Sequence, residues 1–188
     1  DDLTITAGTG IVTFTGTVAM DANDLIVASS RNSVVTAGIG GSSGALDVTD
    51  SGTTDVNGAI ALTGAGTVTL DAATVSGVNI GTGGGVITLG GVFVTDTGAV
   101  EIDATNAGVV TAGANVDFDN TVALGGNLNV DGGTVGNVSF DSTVGIATHN
   151  LTVDNSAITT LGGALSGTTG NVDFTTQTRS DIDGAIAL

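Results

Sequence analysis

The chain repeats a pattern of alternating apolar residues at intervals of about 21 residues. In most repeats two apolar residues flank a single residue, and this i, i+2 alternation is typical of a β-strand with one buried face. The pattern occurs at Leu3/Ile5, Leu25/Val27, Leu46/Val48, Val68/Leu70, Ile87/Leu89, Val109, Leu128/Val130, Leu151/Val153 and Val172/Phe174. An interval of this length is too short for a domain and fits one coil of a β-solenoid.

A second series of apolar residues falls roughly ten residues after the first in most repeats. Its members are Val12/Phe14, Val34, Val56, Val78/Ile80, Val100/Ile102, Val116/Phe118, Val138/Phe140, Ile158 and Ile182. Clusters of Gly, Asn, Asp and Ser lie between the runs and indicate turns, while no segment carries the apolar stripe of a helix. We therefore predict an all-β parallel β-helix of about nine coils, without significant helix. An antiparallel immunoglobulin-like β-sandwich tandem is the alternative, because closely spaced strands also suit that fold.

A longer repeat of 126 residues contains the short one. Residues 41–62 align without gaps to residues 167–188, with ten identical positions among 22. The same offset places residues 11–20 on residues 137–146. Residues 1–188 are thus predicted to be a single continuous solenoid segment holding about one and a half copies of this unit. We expect the segment to be a window of a longer repetitive chain.

Stacked coils would place equivalent side chains above one another, about 4.8 Å apart. Asn127, Asn150 and Asn171 occupy one such register, and Asp2 and Asp24 hold the same place in earlier repeats. Because stacked Asn side chains can bond to the next strand, a ladder is predicted there. Most of the five Phe residues fall at positions that alternate inward, so we expect them to stack in the core.

The composition excludes several classes of function. Two Arg residues against 19 acidic residues, with a net charge of −17, leave no basic surface for nucleic acid. Absence of Cys excludes a disulfide scaffold and a thiolate zinc site. No apolar run is long enough to insert into a membrane. The excess of Asp without Cys or Lys suits an extracellular or cell-surface location.

Two strings of the sequence resemble the repeats of a known class of proteins. NVDFDNTVALGGNLNVDGG (residues 115–133) and NVSFDSTVGIATHNLTVDNS (residues 137–156) are similar to repeats of large bacterial secreted surface proteins. These are the β-strand-repeat and filamentous-haemagglutinin-like adhesins. The resemblance covers nearly the whole chain and is one of texture, without a diagnostic motif. It implies a right-handed parallel β-helix in a secreted, elongated, non-enzymatic protein.

Few residues are candidates for chemistry. Asp117 with Asp119, and Asp181 with Asp183, lie next to turns and could supply the oxygen ligands that calcium prefers. The simpler interpretation is that these Asp residues form turns and keep the outer face solvated. His149, the only imidazole, occupies a place that Asn23 holds elsewhere, which favours a solvated turn residue over a base or ligand. We expect no enzymatic activity and no cofactor, with calcium as the one possible exception.

Together these features favour a structural extracellular protein of a cell-surface fibre or adhesin stalk. We expect it to self-associate by end-to-end β-stacking, with possible contacts to the cell surface or matrix. A surface-layer lattice protein is one alternative, because such proteins share the acidic, Cys-free composition. Tandem immunoglobulin-like adhesive domains are the other.

Overall fold

Short strands and turns alternate along the chain, and no helix occurs in the part that is described. The computed structural model describes residues 1–50, 52–175 and 178–188, which form 26 strands. Every third strand joins the same sheet, so that one coil contributes one strand to each of three sheets. The nine successive coils are numbered from the first strand.

The strands have the following bounds. Coils 1 to 3 contain β1 (Leu3–Thr6), β2 (Ile11–Phe14), β3 (Val18–Asp21), β4 (Leu25–Ser30), β5 (Asn32–Val35), β6 (Ile39–Gly41), β7 (Leu46–Asp50), β8 (Thr54–Val56) and β9 (Ile60–Leu62). Coils 4 to 6 contain β10 (Val68–Leu70), β11 (Ala73–Val75), β12 (Ile80–Thr82), β13 (Ile87–Leu89), β14 (Phe93–Thr95), β15 (Val100–Asp103), β16 (Val116–Phe118), β17 (Val122–Leu124) and β18 (Leu128–Asp131). Coils 7 to 9 contain β19 (Val138–Phe140), β20 (Val144–Ala147), β21 (Leu151–Asn155), β22 (Ile158–Leu161), β23 (Leu165–Gly167), β24 (Val172–Phe174), β25 (Arg179–Ile182) and β26 (Ile186–Ala187).

Three parallel sheets form the sides of the solenoid. Sheet A has nine strands in the order β1-β4-β7-β10-β13-β16-β19-β22-β25. Sheet B has nine, from β2 in steps of three to β26, and sheet C has eight, from β3 to β24. Neighbouring strands pair in parallel register throughout, for example Leu46 with Leu25 and Val68. The predicted parallel β-helix of about nine coils is confirmed, and the antiparallel sandwich alternative is wrong.

The core is built from the inward side chains of all three sheets. Nine of the strands, β10 and β16 among them, are three residues long with a buried, half-buried, buried pattern. Parallel register stacks like on like: Leu46, Val68, Ile87 and Val116 form one buried column in sheet A. Burying each such side chain contributes roughly 1.5–3 kcal/mol relative to exposing it. One coil could not bury these residues alone, so each coil depends on its neighbours.

Aromatic residues continue the core in coils 5 to 7. The Phe93 and Phe118 rings meet edge to face with centroids 5.2 Å apart, and Phe118 and Phe140 stack at 4.7 Å. All three are fully buried, whereas Phe14 and Phe174 are partly buried against the core. The predicted inward placement of the Phe residues is confirmed.

Coils 1 to 8 have three strands each, where the two apolar series indicated two. One insertion also shifts the later coils. Residues 104–115 form a loop between β15 and β16, so that Ile87 is followed in sheet A by Val116. Val109, predicted to begin a coil strand, is 76% exposed in this loop. As a result the pairs at Leu128, Leu151 and Val172 belong to sheet C, although the regular interval aligned them with the strands of sheet A.

The 126-residue repeat spans seventeen strands, which is not a multiple of three. Leu46 of β7 corresponds to Val172 of β24, and these strands lie in sheets A and C. Likewise β2 of sheet B corresponds to β19 of sheet A, and β9 of sheet C to β26 of sheet B. Equivalent strands in successive copies of the unit therefore lie on different sides of the three-sided solenoid. Each copy is rotated by one third of a turn about the solenoid axis relative to the previous copy.

Candidate functional site

The predicted calcium ligands lie in two places on the outside of the solenoid. Asp117 is on the outer face of β16 in coil 6, and Asp119 follows as an exposed residue. Asp181 is on the outer face of β25 in coil 9, where the Arg179 guanidinium binds its carboxylate at 2.5 Å. Asp183 follows as an exposed residue. Three coils separate the two pairs, about 14 Å along the axis, so the four carboxylates do not form one site.

Residues 1–50, 52–175 and 178–188 contain no group of three or more His, Cys, Asp or Glu side chains that could hold a metal ion. Calcium takes six to eight oxygen ligands and combines carboxylates with backbone carbonyls. Calcium binding at the Asp117 and Asp181 pairs therefore stays a prediction.

Asp117 lies among other carboxylates on the outer face of coils 6 and 7. Partial burial raises the pKa of Asp117 above its usual range, and the charges of Asp119 and Asp141 raise it further. The Ser139 hydroxyl opposes this by donating a 2.9 Å hydrogen bond to the Asp117 carboxylate. The cluster is thus a site of mutual repulsion in the ionised form.

A second acidic cluster lies on sheet C near the insertion loop. Glu101 has a raised pKa because burial desolvates its carboxylate and because Asp103, Asp131 and Asp154 carry like charges. The pKa of Asp131 is also raised, first by burial and then by its acidic neighbours, although the Gly133 N–H donates a 2.8 Å bond to it. These carboxylates stack because strands β15, β18 and β21 are neighbours in the sheet.

A third acidic cluster lies in and next to the sheet A strands of coils 3 and 4. Desolvation raises the pKa of Asp71, with additional contributions from Asp47 and then Asp50. The chain has only two cationic side chains, Arg31 and Arg179. Neither contributes to the pKa shifts of Asp71, Glu101, Asp117 or Asp131.

Two Asp residues lie inside corners, where the sequence indicated solvated turns. Asp50 is 8% exposed and accepts hydrogen bonds from the hydroxyls of Ser33 at 3.0 Å and Thr54 at 2.8 Å. The Ser30 hydroxyl donates to the same carboxylate. Hydroxyl-bearing residues at Ser30, Ser33 and Thr54 were the available sequence signal, because a buried carboxylate needs such donors.

Asp103 anchors the start of the insertion loop. Its carboxylate accepts bonds from the Thr105 N–H at 2.6 Å and hydroxyl at 2.5 Å, and from the Ala107 N–H at 2.5 Å. Asp side chains commonly bond to backbone N–H groups that follow them in turns. Two further loop residues, Thr111 and Ala112, accept backbone bonds from the loop of the next coil. The insertion loop is thus bonded to Asp103 at its start and to the loop of the next coil.

The predicted Asn ladder is present at the corner that precedes sheet C. The side-chain oxygen of Asn127 accepts a 2.9 Å bond from the Asn150 backbone N–H, and Asn150 accepts one of 3.0 Å from Asn171. The prediction that Asp2 and Asp24 share this register is wrong, because they lie at the corner before sheet A. There the Asp2 carboxylate accepts a 3.0 Å bond from the Asp24 N–H in the same way. The acceptor meets a backbone N–H of the next coil, so Asn and Asp are equivalent in this role.

A shallow groove of about 590 Å³ runs along the outer face of sheet C in the first three coils. Small outward residues form its floor, and hydroxyl-bearing residues line its edges. The floor residues are Ala19, Gly40 and Ala61, and the edge residues are Thr17, Ser42 and Thr63.

The groove has a counterpart 126 residues later on another side. A groove of about 350 Å³ on sheet B is lined in part by Gly145, Ala147, Ser166, Gly167 and Thr168, the equivalents of residues 19, 21, 40, 41 and 42. Asp21 and Ala147 both have positive φ, 52° and 50°, at matching bulges. Their carbonyls accept backbone bonds of 2.5 Å from Ser42 and 2.6 Å from Thr168.

His149 has the structural environment of Asn23, as the repeat predicts. The backbone N–H of His149 donates to the Ile146 carbonyl at 2.8 Å, and that of Asn23 donates to Met20 at 2.9 Å. Gly44 and Gly170 follow in the next coil, where a Cβ would collide with the carbonyl oxygens of Asn23 and His149. The imidazole is therefore part of a corner that both copies of the repeat build.

No helix in the described ranges has the length and apolar character needed to cross a membrane. No protein-family model matches the chain, and neither a curated protein nor a solved structure matches it.

Proposed function

We propose that the chain is a structural, extracellular β-solenoid of a cell-surface fibre or adhesin stalk, which extends by strand stacking at its ends. The observation that carries the proposal is the stacking of the coils into three continuous parallel sheets. Each interior strand pairs on both sides with the corresponding strand of a neighbouring coil, so the solenoid is held together by strand stacking along its axis. Parallel strand edges are templates for a further strand.

Apolar side chains at the terminal coils support the same function. Leu3 is about half exposed at one end, and Ile182, Ile186 and Leu188 are about half exposed at the other. A further coil at either end would cover them as interior coils cover their equivalents. The interior coils and the resemblance to secreted adhesins favour a mechanical over a catalytic role, and contacts with the cell surface or matrix belong to the same proposal.

Assembly is tested by sedimentation velocity and negative-stain microscopy of the 188-residue chain. We expect rods of one solenoid width whose lengths are multiples of about 43 Å, the length of nine coils spaced at about 4.8 Å. The net charge of −17 should suppress side-by-side clumping. A monomer at all concentrations would contradict the proposal, and a two-dimensional lattice would favour a surface-layer protein instead.

Calcium is tested separately by thermal unfolding in calcium and in a chelator. If the outer carboxylates bind calcium, the metal should raise the melting temperature and bundle the fibres. Replacing Asp117 and Asp119 by Asn should remove part of that increase, whereas Asp96→Asn, a change at an exposed residue outside both pairs, should leave it intact. Equal melting curves with calcium and with chelator would remove the metal from the proposal.

A further inference from the structure

A cleft of about 290 Å³ lies on the outer face of sheet C, where the insertion loop begins. Ala61 of β9 and Gly81 of β12 pair in register and form its floor. Gly81 pairs in turn with Asp103, the last residue of β15 before the loop. The floor therefore consists of small residues over two coils and ends at the base of the insertion loop.

The insertion loop forms one wall of the cleft through Asn106 and Ala107. The Asn106 N–H donates to the Thr82 carbonyl at the end of β12, at 2.9 Å. The Ala107 N–H donates to the Asp103 carboxylate at 2.5 Å. These bonds hold the loop beside the floor, so the cleft is part of the folded chain.

The polar side chains of Glu101 and Asn79 line the cleft and offer hydrogen-bond acceptors. The Asn79 amide N–H₂ group donates to Oε2 of Glu101 at 2.8 Å. Because this bond uses the nitrogen of the amide, Oδ1 of Asn79 and Oε1 of Glu101 are left as acceptors. No residue in the described ranges donates a hydrogen bond to either oxygen.

The negative charge of Glu101 has no cationic partner in the cleft. The two cationic side chains, Arg31 and Arg179, lie in coils 2 and 9. Desolvation raises the pKa of Glu101, and the charge of Asp103 raises it further. A cation that binds in the cleft would offset both effects, since an opposite charge stabilises the ionised carboxylate.

We propose that the cleft binds an alkylammonium group, the chemistry of a lysine side chain, with its nitrogen beside Glu101 and Asn79 and its methylene stem on Ala61 and Gly81. An ammonium group has three N–H donors and no acceptor, which matches the free oxygens of the cleft. The stem of a lysine packs well on apolar surface. The site is separate from end-to-end assembly and does not depend on it.

The ammonium group must come from another molecule, because the chain has no Lys. The cleft shares Ala59 and Ala61 with the larger groove on sheet C. This groove leaves room for the main chain on either side of a lysine, so the ligand we infer is a lysine of a partner polypeptide.

Titration of the ¹⁵N-labelled chain with N-acetyl-lysine N-methylamide, followed by nuclear magnetic resonance, tests the site. We expect saturable shifts of the Asn106 and Ala107 amide signals, with a Kd on the order of 1 mM. The Nε-acetylated form of the same compound keeps the stem without the charge and should bind about tenfold more weakly. Shifts that do not saturate and spread over all acidic faces would show only general attraction to the net charge and would overturn the proposal.

Two variants separate the charge from the shape of the cleft. Glu101→Gln should weaken binding about tenfold, whereas Asp55→Asn, a half-buried outward carboxylate on sheet B, should leave it unchanged. Ala61→Leu fills the floor and should abolish the shifts, whereas Ala123→Leu, an outward change on β17, should not. A dispersed spectrum shows that each variant folds. Unchanged binding in Glu101→Gln or in Ala61→Leu would overturn the proposal.

The source of the ammonium group is tested with n-butylammonium, which has the stem and the charge without the main-chain amides. We expect it to bind more weakly than N-acetyl-lysine N-methylamide. Equal binding of the two probes would overturn the assignment to a polypeptide and would indicate a free amine as the ligand of the same site.

Discussion

Polar side chains at the corners bond from coil to coil and so stabilise the stacking of the strands. Asp50 accepts hydrogen bonds from the hydroxyls of three residues inside the solenoid, and Asn150 is bonded to the coils on both sides of its own. Buried polar groups that lose their partners cost more than the bond itself is worth. Single corner residues should therefore affect stability more than residues on the outer faces.

Replacing Asp50 by Ala should lower the free energy of unfolding by about 1–3 kcal/mol, because the Ser33 and Thr54 hydroxyls lose their shared acceptor. The matched control is Asp119→Ala, which removes an exposed carboxylate and should change stability by less than about 0.5 kcal/mol. Urea unfolding at neutral pH measures both. Equal effects of the two variants would show that Asp50 does not hold its corner.

Asn150→Ala should lower stability by about 0.5–1.5 kcal/mol, since the Asn171 N–H loses its acceptor. Asn150→Asp should restore most of this loss, because Asp2 and Asp24 already play the same role at another corner. Urea unfolding distinguishes the two variants. If Asp fails where Asn succeeds, the side chain acts through its amide N–H₂ group and not as an acceptor.

Among the elements, the strands that carry Phe bring three aromatic rings into contact in the core. Phe118 lies between Phe93 and Phe140 and is fully buried, so the strands β14, β16 and β19 share one aromatic column. The column spans the coils on both sides of the insertion loop. It therefore connects the two parts of the solenoid across the place where the regular interval is interrupted.

Phe118→Ala should cost about 3–5 kcal/mol, the range for removing a buried aromatic side chain. Phe14→Ala is the control, because Phe14 lies in the first coil and is only partly buried, and it should cost less. Chemical unfolding followed by circular dichroism measures both changes. A loss at Phe14 as large as that at Phe118 would contradict a role for the aromatic column.

At the scale of the whole molecule, the solenoid stacks acidic residues of successive coils close together. Asp71, Glu101, Asp117 and Asp131 all have raised pKa values, with desolvation as the first cause and neighbouring carboxylates as a further one. The folded chain thus binds more protons than the unfolded chain between the ordinary and the raised pKa values. The resulting slope of unfolding free energy against pH is negative in that window.

Mild acidification from pH 7 should therefore raise the melting temperature, with the gain appearing as the pH falls through the raised pKa values of these carboxyls. Thermal unfolding monitored by circular dichroism, as the pH is lowered stepwise from 7 until these carboxyls are protonated, tests this. Glu101→Gln should reduce the pH dependence and stabilise the chain at pH 7, because it removes one repelling charge. A melting temperature that falls steadily on acidification would contradict the prediction.

The sequence was sufficient for the parallel β-solenoid, its nine coils, the Asn ladder and the inward Phe residues. All of these follow from local alternation and from the repeat interval, because inward and outward positions differ in polarity. For the candidate surface, it also placed Asp117 and Asp181 correctly on outward positions. The buried Asp50 and Asp103 were missed, since a carboxylate in a turn has the same local sequence whether it faces water or a ring of hydroxyls.

Only the tertiary structure decided which side of the solenoid each strand occupies. Apolar alternation is the same in sheets A, B and C, so it cannot distinguish three strands per coil from two. It also cannot show that Val109 lies in the insertion loop and not in a strand. The same ambiguity conceals the turn between the two copies of the 126-residue repeat. The sheet to which a strand belongs depends on how many strands and corners precede it. That number is fixed only by the folded structure, because local sequence does not distinguish a short strand from a loop.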